Sequence, residues 1–141
     1  MASPLAIKLI LCDAAVAEPA TGKLHMLGAG WSVTGSPTAP QAVAVMIKVP
    51  WDRANQKIKF SLQLLNPDGQ PVELQTLDGT SAPIMQEGDI EVGRPPGIAA
   101  GSMLDAALAM SVPPMPLPAG RYEWRLHIGD QTEHESFTVR G

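Results

Sequence analysis

The chain has 141 residues, long enough for one domain with a single core and too short for two ordinary ones. Hydrophobic residues make up 45% and charged residues 17%, which excludes wholesale disorder, and no apolar run approaches the roughly 20 residues of a spanning helix. Ten basic against 14 acidic residues leave a net charge of -4, which disfavours nucleic acid and anionic membranes as partners, and one cysteine excludes an internal disulfide.

Residues 1–20 superficially imitate an export signal, with Lys8, an apolar stretch and Ala15-Val16-Ala17. The charge sits too deep, and Asp13 interrupts the apolar stretch after Cys12. Leu11 also stands where a lipoprotein cleavage box needs a small residue. The expectation is a first strand of a cytoplasmic protein. In it Leu5, Ile7, Leu9 and Leu11 alternate with Ala6, Lys8, Ile10 and Cys12, apolar on nearly both faces, with Cys12 a buried thiol.

Glu18 to Gly22 predicts a turn, Lys23 to Trp31 a second strand and Gly35 to Pro40 a loop. Gln41 to Val49 carries Val43, Val45, Ile47 and Val49 on one face of a strand that Pro50 ends. Gln56 to Leu65 alternates most clearly, with Ile58, Phe60, Leu62 and Leu64 inward. Asn66-Pro67-Asp68-Gly69 is a strong turn signal, so Val72, Leu74 and Thr76 are expected to return as the partner strand of a hairpin. Ile84 to Val92 predicts another strand, with Ile90 and Val92 inward. Its carboxylates Glu87, Asp89 and Glu91 lack the spaced loop that usually supplies calcium ligands, and they read better as a solvated edge strand.

Met103 to Val112 is open between two forms. Ser102 could cap a short helix, yet Leu104, Ala106, Leu108, Met110 and Val112 alternate with Asp105, Ala107, Ala109 and Ser111, which favours a strand. Pro113 to Pro118 predicts a stiff connector between sheets rather than a docking ligand, because no basic residue flanks it until Arg121.

The C-terminal stretch predicts a hairpin. Tyr122, Trp124, Leu126 and Ile128 share one face, and Pro118-Ala119-Gly120 ahead of Tyr122 is similar to the tyrosine corner of β-sandwich domains. A four-residue loop at Gly129–Thr132 would pair Trp124 with Phe137 and Tyr122 with Val139, apolar against apolar. That register would also set His127 opposite His134 on the solvent face.

Five segments resemble a family of uncharacterised bacterial proteins catalogued only as a domain of unknown function. They are Leu11-Cys12-Asp13, Gly28-Ala29-Gly30-Trp31, Val49-Pro50-Trp51-Asp52-Arg53, Val92-Gly93-Arg94-Pro95-Pro96-Gly97 and Pro118-Ala119-Gly120-Arg121-Tyr122-Glu123-Trp124. Their common order along nearly the full chain implies one complete domain, residues 1–141, and a strand at Met103 to Val112. The resemblance implies no activity, cofactor or catalytic residue.

Chemistry-bearing residues are sparse. His127 and His134 are the candidate metal ligands, but two imidazoles fall short of an ordinary zinc shell and Arg125 beside them repels a cation. Cys12 has no histidine near it in sequence, Ser32 and Ser36 lie in no nucleophile elbow, and no phosphate-cradling loop occurs. Trp51, Asp52, Arg53 and Arg94 are the candidate binding residues, since Trp and Arg dominate binding hot spots and Pro-stiffened loops hold them at little entropic cost.

The sequence thus predicts an all-β, immunoglobulin-like antiparallel β-sandwich of roughly seven to nine strands. The expected function is a non-catalytic protein-binding or assembly module that self-associates as a homo-oligomer, without cofactor, nucleic acid or membrane. Met26, Met46, Met85, Met103, Met110 and Met115 would add adaptable apolar surface. Two alternatives stand beside it: a small-molecule or metal-binding protein with a pocket at one end of the sandwich, and a structural subunit of a larger particle.

Overall fold

In a computed structural model describing residues 3–141, the chain is all-β, with 12 strands and a single 3-10 turn at Trp51–Arg53. A three-stranded sheet has the order β1-β5-β10, formed by β1 (Ala6–Cys12), β5 (Gln41–Val49) and β10 (Leu104–Val112). A five-stranded sheet has the order β4-β12-β11-β6-β9, formed by β4 (Val33–Thr34), β12 (Gln131–Val139), β11 (Gly120–Ile128), β6 (Ile58–Leu65) and β9 (Met85–Ile90). Neighbours are antiparallel except β12 and β4, which run parallel. Two hairpins complete the fold: β2 (Ala14–Glu18) with β3 (Lys23–Leu27), and β7 (Glu73–Gln75) with β8 (Ser81–Pro83). The strand number exceeds the expected seven to nine because β2, β4, β7 and β8 are short pieces of two to five residues. Among the described residues no helix is long and apolar enough to cross a membrane.

Period-two alternation sets the core, because successive side chains of a strand point to opposite faces. Val43, Val45, Ile47 and Val49 of β5 meet Ile58, Leu62 and Leu64 of β6 and Tyr122, Trp124, Leu126 and Ile128 of β11 in one buried cluster. Full burial of each such side chain contributes about 1.5–3 kcal/mol. A buried polar bond joins the sheets within this cluster: Trp124 Nε1 donates to Gln41 Oε1 at 3.2 Å.

The outer face of the three-stranded sheet is covered by the chain itself, chiefly over β5 and β10. Cys12, Ala42 and Ala44 face away from the main core and are buried under Ala15, Leu24 and Met26 of the β2–β3 hairpin. Small residues on both sides bring the hairpin close. At Gly22 (φ +70°) an added Cβ would lie 2.7 Å from the Asp105 carbonyl oxygen, so only glycine fits the turn that crosses β10.

Residues 113–118 pass from β10 in one sheet to β11 in the other without regular structure, as expected of a connector. Thr38 holds it twice, its N–H donating to Met115 O at 2.8 Å and its Oγ1 accepting from Met115 N at 2.9 Å. The corner beyond it closes when Tyr122 donates its hydroxyl to Pro118 O at 2.8 Å. Burial pushes the Tyr122 phenol above its ordinary pKa, which keeps the donor proton in place.

Two expected pairings are different in the structure. The turn at Asn66–Gly69 forms, with Gly69 N donating to Asn66 O at 2.9 Å. The hairpin it suggested does not continue beyond Leu65↔Pro71 and the Val72 N to Leu64 O bond. Both edges of β6 are taken, by β11 on one side and β9 on the other, so residues 73–75 pair with β8 instead. The C-terminal hairpin turns through Gly129-Asp130, with Ile128 opposite Gln131, so the loop has two residues rather than four. Gly129 takes φ 58°, the positive value that glycine supplies at the first position of a tight hairpin turn. Tyr122 therefore faces Phe137, and Trp124 faces Glu135.

Candidate functional site

The corner at Trp51 gathers the four candidate binding residues. Arg94, 43 residues away in sequence, donates to Trp51 O at 2.7 Å and lies 4.5 Å from the centroid of the indole ring. Asp52 accepts from Ser3 Oγ at 3.0 Å, and Arg53 is 9% exposed with Nη1 donating to Ser3 O at 3.1 Å. Asn55 N donates to Val92 O at 2.7 Å, fastening the same turn to the chain that leads into Arg94. Within the group Arg94 meets Trp51, Asp52 and Arg53 both bond to Ser3, and Asp52 and Arg94 remain exposed. Arg94 also borders a groove of about 380 Å³ that reaches Met103 and Leu104 at the start of β10.

The histidines are separated by the two-residue turn. His127 faces Thr132, with Nδ1 and Oγ1 3.0 Å apart, and His134 faces Arg125. They are diagonal neighbours rather than directly opposed, which corrects the expected pair. Among the described residues no group of three or more His, Cys, Asp or Glu side chains is placed to hold a metal ion. His25 pairs with Glu18 on the β2–β3 hairpin. Cys12 is wholly buried, and burial, with the Asp13 charge adding to it, pushes its thiol above the ordinary pKa.

The sheet edges separate more sharply than any side-chain cluster. An edge strand presents unpaired N–H and C=O groups, and proteins blunt such edges with charge, short strands, or covering chain. Three of the four outer edges of the main sheets are blunted. On β9, Glu87 and Asp89 stand exposed. On β12, the two-residue β4 covers only Thr138 and Val139, while Glu133 and Glu135 point to the core side and stay exposed. On β1, Lys8 stands exposed in the middle of the strand, and the Gln131 side chain caps Leu5 just ahead of it: its Nε2 donates to Leu5 O at 3.0 Å and its Oε1 accepts from Leu5 N at 2.8 Å. Gly30 N takes Leu11 O at 2.7 Å near the other end of β1.

The fourth edge, β10, is met by covering chain at its Asp105 end, where the Gly22 turn crosses it, and has none of the other devices along the rest of its length. It is a regular nine-residue strand with Leu104, Ala106, Leu108, Met110 and Val112 on the core side and Ala107, Ala109 and Ser111 among the outer positions. Its single charge, Asp105, is held by Lys48 of β5. Among the described residues its backbone bonds only to β5. Leu108 and Met110 are half-buried at this edge, whereas Val45 and Val43 opposite them on β5 are fully buried. Sequence reasoning had singled out the strand but not its edge, because edge status depends on which distant strands pair.

A family of unknown function, DUF6941, matches the chain over residues 8–140. No curated protein matches it.

Proposed function

The chain belongs to this family of unknown function, and from that premise we propose that it is a non-catalytic protein-binding module whose docking element is the open edge of β10. The observation that carries the reading is the contrast between edges: β10 is long, regular and almost uncharged, and the other three are blunted. An incoming strand would satisfy the free backbone groups and cover Leu108 and Met110, the chemistry of β-strand addition. The non-catalytic part is supported by a nucleophile candidate, Cys12, that is buried with a raised pKa. It is also supported by histidines engaged singly with Thr132 or Glu18. A free, buried thiol suits a reducing compartment, and the proposal places the protein in the cytoplasm.

The test is native mass spectrometry of the tagged full chain purified gently from its own host. Wild type should carry an added protein mass, a second copy or another chain. Ala109→Pro removes a backbone donor from β10 and should shed that mass while the far-ultraviolet spectrum stays that of a β-protein. A bare monomer for wild type, or a complex that Ala109→Pro and Leu108→Lys both leave intact, would contradict the reading.

A further inference from the structure

We infer that the strand received by β10 is β10 of a second copy, paired antiparallel about a two-fold axis at Leu108. This rests on the proposed reading of the edge and names its occupant. Opposed residues of an antiparallel pair lie on the same face, so a two-fold pairing must centre on a residue of the strand. Centring on Leu108 uses the whole of Leu104–Val112. Leu104 then faces Val112, Ala106 faces Met110, and Leu108 faces its own copy, all on the core side. On the other side Asp105 faces Ser111 and Ala107 faces Ala109.

Each of these pairs is compatible in size and charge. Bulky Met110 meets small Ala106, and no carboxylate opposes another, since each Asp105 faces a serine and keeps its own Lys48. Two copies therefore join without like charges across the seam, although each carries a net charge of -4. Strand pairing about 30 Å long would merge the two three-stranded sheets into one of six strands, β1-β5-β10-β10-β5-β1. Half-buried Leu108 and Met110 would become interior. The exposed Val16 and Leu27 on the outer face of the β2–β3 hairpin lie outside this seam and supply an internal control.

The purified full chain is examined by sedimentation across a concentration series and by cross-linking of Leu108→Cys with oxidised glutathione. Opposed residues of an antiparallel pair lie within disulfide reach, so Leu108→Cys should give a covalent dimer. Leu27→Cys should not, and buried Cys12 should stay silent. Leu108→Lys should weaken the dimer by at least about a hundredfold, because it sets two ammonium groups face to face at the seam. Met110→Lys is the second variant should that chain fail to fold. A wild-type monomer at every concentration overturns the second-copy inference, yet leaves strand docking standing if the gentle preparation carries a different chain. A dimer that cross-links through Leu27→Cys and not Leu108→Cys also overturns it.

Discussion

Trp124→Ala is expected to lower stability by about 3–5 kcal/mol, the range for deleting a buried aromatic side chain. Trp124 has no exposed surface, lies at the centre of β11 between β6 and β12, and touches the opposite sheet through its bond to Gln41. Removing it leaves a cavity and also strips Gln41 Oε1 of its donor inside the core, so the loss combines packing with an unsatisfied polar atom. For a domain of this size the melting temperature should fall by roughly 10–20 °C. Thermal unfolding followed by circular dichroism reads this directly. A shift of only a few degrees would mean that the sheets are not held together at this point.

Gly22→Ala should free the β2–β3 hairpin without unfolding the sandwich. The new Cβ would sit 2.7 Å from Asp105 O and 2.9 Å from Asp105 Cβ, at a backbone φ of +70° that disfavours any L side chain. The left-handed conformation and the overlap together cost about 2–5 kcal/mol. The hairpin is the weakest place to absorb that cost, because Ala15, Leu24 and Met26, which it packs over the buried Cys12, Ala42 and Ala44, are themselves only partly buried. Its lifting uncovers Cys12, which is otherwise fully buried. The rate of Cys12 modification by a thiol reagent should therefore rise at least about tenfold over wild type under native conditions. An unchanged rate, with the variant folded, would show that something other than the hairpin protects the thiol.

Much of the fold was legible because alternation is a local property. Gln41 to Val49 is a strand over the expected span, and Leu104–Val112 is a strand rather than a helix. Tyr122, Trp124, Leu126 and Ile128 are all buried as their shared face suggested. What failed was pairing, which depends on distant residues. The turn at Asn66–Gly69 was read correctly, but β6 prefers β9, whose Gly88 leaves room for the Phe60 ring: a Cβ there would come within 3.2 Å of it. The last hairpin differs in register from the expected one, because pairing apolar with apolar across the strands does not decide it. Glu135 sits on the edge strand β12 and stays exposed there, while Trp124 one strand inward is covered. An inward-pointing carboxylate on an edge is a defence against unwanted pairing rather than a fault in the core.

The candidate site was legible only in part. Trp51, Asp52, Arg53 and Arg94 do come together, with Arg94 from a second loop stacked on Trp51. The Arg94–Trp51 bond and the bonds of Asp52 and Arg53 to Ser3 give the corner a structural role whether or not it meets a partner. The second apolar face of β1 meets the chain's own β2–β3 hairpin at Cys12, and the hairpin lies chiefly over β5 and β10. The open edge lies instead across the sheet at β10, one strand beyond β5. Alternation announces a strand, and low charge announces an undefended one. Only the strand order shows that it has a free side.

Backbone hydrogen exchange on β10 and β9 tests the central claim most directly, since each closes one side of its own sheet. In a lone molecule alternate amides of both strands face solvent and exchange readily. If β10 receives a strand, its outward amides should be protected at assembly concentrations and lose that protection on dilution, or with Leu108→Lys. The outward amides of β9, behind Glu87 and Asp89, should exchange quickly throughout. Equally fast exchange on both edges at every concentration, in a preparation from the native host, would contradict the account.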